Sequence, residues 1–107
     1  MLVQPFTVPG QVVGPYVHLD NRGLVMFDGR RSAMFPAASL NWVGETFQIL
    51  AEEKRATRRQ GDHILGGFVA DDGVHATVYG GLTNNLATLQ ITVDSLRALH
   101  GQIRGTT

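Results

Sequence analysis

Residues 63–79 have the sequence HILGGFVADDGVHATVY, and this stretch decides the fold class. Asp72-Gly73 is a strong two-residue turn signal between two runs of strand-forming residues. Pairing the strands outward from the turn sets four pairs of residues opposite each other: Ala70 and His75, Val69 and Ala76, Phe68 and Thr77, and Gly66 and Tyr79. The Tyr79 ring is then expected to lie over the bare backbone of Gly66. The segment predicts an antiparallel β-hairpin.

The segments on either side of this hairpin predict more strands and a terminal helix. An earlier hairpin is predicted from residues 16–19 and 24–27, which flank the turn sequence Asp-Asn-Arg-Gly. A fifth strand is predicted at residues 86–91, followed by a helix that Thr92 can cap. The apolar stripe of that helix consists of Val93, Leu96, Leu99, His100 and Ile103.

A long helix is predicted between the two hairpins, opening at Pro36 or Ser39 and running to about residue 60, before Gly61. Its last turns would carry Lys54, Arg55, Arg58 and Arg59, which complement the negative end of the helix dipole. The expected fold is one α+β domain over residues 1–107, with an extended N-terminal arm at residues 1–9. Its antiparallel sheet has about five strands, in the order β-β-α-β-β-β-α.

Composition restricts the classes of function. The 107 residues include no cysteine, so disulfides, thiolate metal sites and cysteine catalysis are excluded. Nine basic and nine acidic residues give a formal charge of zero, which removes any global attraction to nucleic acid or an anionic membrane. The N-terminus has no signal-peptide pattern and no stretch reaches membrane-spanning length, so a cytoplasmic protein with no membrane partner is expected.

The predicted long helix has apolar residues on two sides. One face carries Leu40, Val43, Phe47, Leu50 and Ala51, and is expected to pack on the sheet. Trp42 and Ile49 fall on the opposite side, where a helix packed on a monomer's sheet normally shows charge. One interpretation is a self-complementary dimer seam formed by Trp42, Ile49, Thr46 and Ala38. The alternative is that the N-terminal arm, with Val3 and Phe6, covers Trp42.

Metal binding and catalysis have little support in the sequence. The predicted register puts His63 and His75 on opposite faces of the hairpin, so they cannot share a metal site. His18 with Asp20 forms only a pair beside a turn. Asp71 and the turn residue Asp72 point apart as strand neighbours. No nucleophile elbow, zinc-protease motif or Walker loop is present, so we expect no catalytic residue, no metal, no cofactor and no enzyme activity.

Nucleic-acid binding is an alternative, because six of the nine basic residues occur in two groups. The groups are Arg30 with Arg31, and Lys54 with Arg55, Arg58 and Arg59. Together with an exposed Tyr16 or Tyr79 they could hold a single strand by phosphate contacts and stacking. A small phage-type inhibitor protein is a further alternative.

The order of elements resembles the roadblock family, which includes dynein light chains and GTPase co-regulators. The resemblance covers about residues 15–103 and rests on the Asp-x-x-Gly-Leu-Val hairpin at residues 20–25, the long helix, three strands and a terminal helix. It implies a non-enzymatic homodimer with the long helix at its interface, binding other proteins such as a small GTPase. We therefore expect a small homodimeric protein-binding or regulatory module.

Overall fold

The computed structural model describes the backbone of residues 2–3 and 15–106 and the side chains of residues 15–105. The first half of the chain forms β1 (Leu2–Val3), β2 (Tyr16–Asp20), β3 (Gly23–Phe27), β4 (Ser32–Pro36), a 3-10 turn (Ala37–Ser39) and helix α1 (Leu40–Glu53). The second half forms β5 (Arg55–Gln60), β6 (His63–Val69), β7 (His75–Leu82), β8 (Asn85–Thr92) and helix α2 (Val93–Thr106). Four antiparallel strands followed by a 14-residue helix thus occur twice in succession.

The α+β class with antiparallel strands is confirmed, but the single sheet of about five strands is wrong. The strands form two four-stranded sheets, ordered β1-β2-β3-β4 and β5-β6-β7-β8. Of the expected arm at residues 1–9, only β1 is described, and it pairs with β2. The rest of the arm, including Phe6, lies outside the described residues.

The first predicted hairpin is confirmed, with β2 and β3 joined at Asp20–Gly23. Asp20 Oδ1 accepts a hydrogen bond of 2.8 Å from the Arg22 backbone N–H, and Asp20 Oδ2 lies 3.1 Å from His18 Nε2. These contacts, the backbone bond above all, lower the pKa of Asp20 to about 2. Local turn chemistry therefore fixes this hairpin.

Strand β4 was not expected from the sequence. Its residues Ala33 and Phe35 are buried while Ser32, Met34 and Pro36 are exposed, which is the period of two of a half-buried strand. Its five residues end in Pro36, the residue expected to open the helix. The sequence pattern of the strand is therefore short and overlaps the residues that were expected to begin the helix. The helix begins at Leu40.

The predicted helix end at about residue 60 is also wrong, because α1 ends at Glu53. Lys54 adopts a left-handed conformation with φ of 68°, and its N–H donates to the Leu50 carbonyl at 2.9 Å. This is the usual geometry of a helix C-terminus. Residues 55–60 form β5 instead, and Gly61, the expected helix terminator, has φ of 60° in the turn between β5 and β6.

The predicted register of the second hairpin is confirmed. β6 pairs with β7 so that Val69 lies opposite Ala76, Phe68 opposite Thr77 and Gly66 opposite Tyr79. A Cβ built on Gly66 would lie 3.0 Å from the Tyr79 hydroxyl, so the ring does cover this glycine. Pairing with β5 and β8 then extends the same register over the whole second sheet.

Both sheets and both helices share one cluster of buried apolar side chains. As the periodicity predicts, α1 contributes Leu40, Val43, Phe47 and Leu50, and α2 contributes Leu96, Leu99 and Ile103. The two helices approach closely at Gly44, where a Cβ would lie 3.1 Å from Ile103 Cγ2. The predicted cap of α2 is confirmed, since Thr92 Oγ1 accepts from the Ser95 backbone N–H at 3.1 Å.

Candidate functional site

The helix side that was expected to form a dimer seam is covered within the chain. Trp42 is 8% exposed and Thr46 is 0% exposed. The Trp42 ring packs against Phe35, with centroids 6.1 Å apart, and the Arg58 guanidinium carbon lies 5.9 Å from the Trp42 centroid. Thr46 Oγ1 donates to the Trp42 carbonyl at 2.8 Å and accepts from Arg58 Nη1 at 3.3 Å. Phe35 and Arg58 of the same chain thus contribute to the burial of Trp42, and Arg58 also contacts Thr46.

The other two residues of the expected seam do not form a surface by themselves. Ile49 is half-buried against the core cluster, and Ala38 is exposed in the 3-10 turn. Eleven residues separate them, or about 16 Å along a helix axis. Strand β5 supplies the cover for Trp42 through Arg58, and this segment was expected to continue the helix. The wrong helix end therefore hid the contact between Arg58 and Trp42, and the dimer seam stays a prediction.

The basic cluster at residues 54–59 divides between the two faces of the second sheet. Arg58 lies over Trp42 on the inner face, toward the core. Arg55 and Arg59 alternate with it along β5 and are exposed on the other face. Arg59 Nε donates to the Gly61 carbonyl at 2.9 Å, and Lys54 is exposed at the helix end. Two arginines of the cluster are therefore presented together to solvent.

The second basic pair, Arg30 and Arg31, occupies the turn between β3 and β4. Asp28 Oδ1 accepts from the backbone N–H groups of Arg30 and Arg31 at 2.8 and 2.7 Å, while its Oδ2 accepts from the Thr88 N–H of β8 at 3.1 Å. Partial burial raises the pKa of Asp28, but these backbone hydrogen bonds lower it by more, so it lies below its usual value. Asp28 thereby fastens the arginine turn to the edge of the second sheet.

The two basic groups therefore do not converge on one patch but flank the second sheet. Arg55 and Arg59 belong to the edge strand β5, and the Arg30–Arg31 turn adjoins the opposite edge strand, β8. Three strand spacings separate the two edges, or about 14 Å.

Between these edges lies the face of the second sheet that is turned away from the core, which we call the open face. By strand alternation it consists of Arg55, Thr57, Arg59, Ile64, Gly66, Phe68, His75, Thr77, Tyr79, Leu86, Thr88, Gln90 and Thr92. The sequences of β5 to β8 contain no aspartate or glutamate at all. All nine carboxylates lie in turns, in the helices or in the first half of the chain, so no residue of the open face is acidic. The carboxylates of Asp72 and Asp28 reach only its border, at His75 and at the Thr88 backbone.

Two aromatic rings lie on the open face. Phe68 is 48% exposed, so about half of its side chain is accessible to a ligand. Tyr79 covers Gly66 and its hydroxyl is hydrogen-bonded to the Thr57 hydroxyl at 2.5 Å, so the ring extends across the sheet from β7 to β5. Tyr16, the other tyrosine considered from the sequence, lies on the first sheet beside Phe27, at a centroid distance of 5.4 Å.

The two histidines of the second hairpin lie on opposite faces of the sheet, in line with the predicted register. His63 is on the inner face, with its ring centroid 5.4 Å from that of Phe35, whereas His75 is on the open face. His75 Nδ1 donates to Asp72 Oδ2 at 2.7 Å, and together with two backbone N–H groups it lowers the pKa of Asp72 to about 2. Among residues 2–3 and 15–106, no three metal-ligating side chains form a group that could hold an ion.

Comparisons with known proteins give no relative. No protein-family model matches the chain, and no curated protein or solved structure matches it significantly. The resemblance to the roadblock family therefore stays a prediction from the sequence. Within the described residues, no helix has the length and apolar character needed to cross a membrane.

Proposed function

We propose that the chain is a non-enzymatic binding module that holds single-stranded nucleic acid on the open face. The observation that carries this proposal is the composition of that face, where two aromatic rings lie between cationic edges and none of the residues on the four strands is acidic. Arginines and aromatic rings together can bind a single strand of nucleic acid, because its phosphates pair with arginine and its exposed bases stack on aromatic rings.

Stacking would come from Phe68 and Tyr79. The two residues occupy adjacent rows of the sheet, since Phe68 is opposite Thr77 and Tyr79 is two residues further along β7. Adjacent rows on one face are about 7 Å apart, so two successive bases can each meet a ring. Alanine substitution of a stacking residue typically costs about 1–3 kcal/mol per base.

Phosphate contacts would come from both edges of the sheet. Arg55 and Arg59 contribute from β5, and the Arg30–Arg31 turn contributes from the β8 side, where Asp28 holds its backbone. A strand crossing the sheet would then meet cations at both ends of its path. Because the whole chain has no net charge, this binding is local and is expected to weaken steeply with salt.

The proposal is tested by fluorescence anisotropy with short labelled single strands of mixed sequence at low salt. Phe68→Ala should weaken binding roughly 5- to 150-fold, the equivalent of one lost stacking contact. Met34→Ala is the matched control, because Met34 is also a large exposed apolar residue (52%) but lies on the first sheet. Circular dichroism should show both variants folded.

A second pair of variants tests the phosphate contacts. Arg55→Gln with Arg59→Gln should reduce the slope of log affinity against log salt by about 1.4, at about 0.7 per phosphate contact on a single strand. Arg97→Gln with Arg104→Gln removes the same charge from α2 and should leave the slope unchanged. Wild-type protein that binds no single strand, or a folded Phe68→Ala variant that binds as well as wild type, would overturn the proposal.

Homodimerisation and binding to a small GTPase, both expected from the sequence, stay predictions. Light scattering tests the first and a pull-down with purified GTPases the second. Trp42, the residue that suggested the dimer seam, is already buried within one chain. No observation therefore favours homodimerisation or GTPase binding over nucleic-acid binding.

A further inference from the structure

We propose that a bound single strand continues past the open face onto a second aromatic platform on the first sheet, formed by Tyr16 and Phe27. This inference rests on the proposed function, because it concerns where the rest of a longer strand lies. It makes the preferred ligand a single strand long enough to contact both sheets rather than a short oligonucleotide.

A depression of about 600 Å³ connects the open face with the first half of the chain at the edge strand β8. Its lining includes Thr77, Thr88 and Gln90 of the open face, and Pro15, the residue before β2. The volume lies within the usual range of small-ligand sites, about 300–1,000 Å³. A strand that leaves the open face across β8 can therefore pass through this depression to the start of β2.

Two aromatic rings lie next to that point on the first sheet. Tyr16, the residue after Pro15, is opposite Phe27 of β3, and the two ring centroids are 5.4 Å apart. Tyr16 and Phe27 are half-buried, whereas their neighbours Val17 and Met26 are fully buried. By strand alternation the two rings therefore lie on the face of the first sheet that is turned away from the core. Rings that are partly open to solvent can stack with bases of any type.

The Arg30–Arg31 turn lies between the depression and this platform. Ser32, the next residue after the turn, is opposite Phe27, so the arginines adjoin the row of the two rings. On the other side, the hydrogen bond from the Thr88 N–H to Asp28 holds the turn against β8, which lines the depression. Both arginines are exposed. Phosphates that cross from one sheet to the other would therefore meet two cations.

The acidic side chains near this path are already engaged. Both oxygens of Asp28 accept hydrogen bonds from backbone N–H groups. Asp20 is on the same face as Tyr16 but four residues further along β2, or about 13 Å away. Its carboxylate contacts the guanidinium of Arg22 and the ring of His18. Neither carboxylate therefore leaves an unbalanced negative charge beside the two rings.

The inference predicts that Tyr16 matters only for a strand long enough to reach it. Single-strand sites of known proteins cover about 4–16 nucleotides, so anisotropy titrations would use thymine-only strands of about 4 and about 12 nucleotides. Tyr16→Leu keeps an apolar side chain beside Phe27 but removes the ring. It should weaken binding of the longer strand at least about fivefold, the equivalent of one lost stacking contact, and leave binding of the shorter strand unchanged.

Tyr16→Phe is the matched control, because it keeps the ring and should bind both strands as wild type does. A longer strand also gains affinity because it can bind in more positions, but this gain is the same for every variant and cancels in the comparison. Circular dichroism should show both variants folded, since Tyr16 is only half-buried.

The outcomes separate this inference from the proposed function. If wild-type protein binds neither strand, the proposed function fails and this inference fails with it. If Phe68→Ala weakens binding of both strands while Tyr16→Leu weakens neither, the open face binds nucleic acid and the second platform is refuted. A Tyr16→Leu variant that loses affinity equally for both lengths, or a Tyr16→Phe variant as weak as Tyr16→Leu, would also refute it.

Discussion

Replacing Trp42 by alanine separates the fold described above from the dimer seam expected from the sequence. Trp42 is almost completely buried between Phe35 and Arg58. Removing a buried aromatic side chain costs about 3–5 kcal/mol, and a partly desolvated cation–π contact contributes about 0.5–2 kcal/mol. The free energy of unfolding of a small domain is only about 5–15 kcal/mol. Trp42→Ala should therefore remove a large part of the free energy of unfolding.

Urea denaturation followed by circular dichroism measures this effect, since the variant loses the only tryptophan and cannot be followed by tryptophan fluorescence. With an m-value near 1.5 kcal/mol/M, the two losses together should lower the midpoint by roughly 2–5 M. Phe68→Ala is the control, because Phe68 is about half exposed on the open face and should shift the midpoint far less. A Trp42→Ala variant with the wild-type midpoint, converted from dimer to monomer, would refute the packing and restore the seam.

Two further predictions concern the helix contact and the second hairpin. Gly44→Leu should destabilise the fold by about 1–3 kcal/mol, because the new side chain would overpack the contact between the two helices at Ile103. Gly101→Ala on α2 should instead stabilise the fold by up to about 1 kcal/mol, because its Cβ would meet nothing within 4 Å. Thermal unfolding of both variants measures these opposite effects. The pKa of Asp72 is about 2 in the folded state, below its ordinary value of 3.8. The ionised carboxylate therefore stabilises the fold above pH 3.8, and this contribution is lost as the pH falls toward 2. The difference in melting temperature between wild type and Asp72→Asn should therefore be largest near neutral pH and vanish near pH 2; a constant difference would contradict this.

Parts of the fold governed by local chemistry were predictable from the sequence. The two hairpins follow from turn residues such as Asp20 and Asp72, whose carboxylates accept backbone N–H groups within the turn. Once the second turn was placed, the period of two fixed which residues share a face, including Phe68 and Tyr79. The cap at Thr92 was equally local.

Strand β5 could not be found in this way. In its six residues Ala56 is the only fully buried side chain, and three are arginines, as is usual for an edge strand that charge protects from further pairing. The segment therefore has no apolar alternation, and Lys54, rather than a glycine, ends the preceding helix. Because of this, Arg55 and Arg59 were assigned to a helix end instead of the open face.

The division into two sheets depends on contacts between residues far apart in the chain. The Asp28 carboxylate accepts a hydrogen bond from the backbone N–H of Thr88, 60 residues later, and so holds the Arg30–Arg31 turn against β8. No local sequence pattern predicts this hydrogen bond. Likewise Thr77 and Gln90 belong to no motif, and only their pairing in the sheet brings them into line with Phe68. The candidate site was thus predictable in its residue types but not in its arrangement.

The most direct test of the proposed function is a map of backbone amide chemical shifts during titration of ¹⁵N-labelled protein with an unlabelled single strand. We predict that the largest shifts fall on β5 to β8 around Phe68, Thr77 and Tyr79, and on the Arg30–Arg31 turn. Shifts that concentrate instead on α1, α2 or the first sheet, or a spectrum that the nucleic acid leaves unchanged, would contradict it.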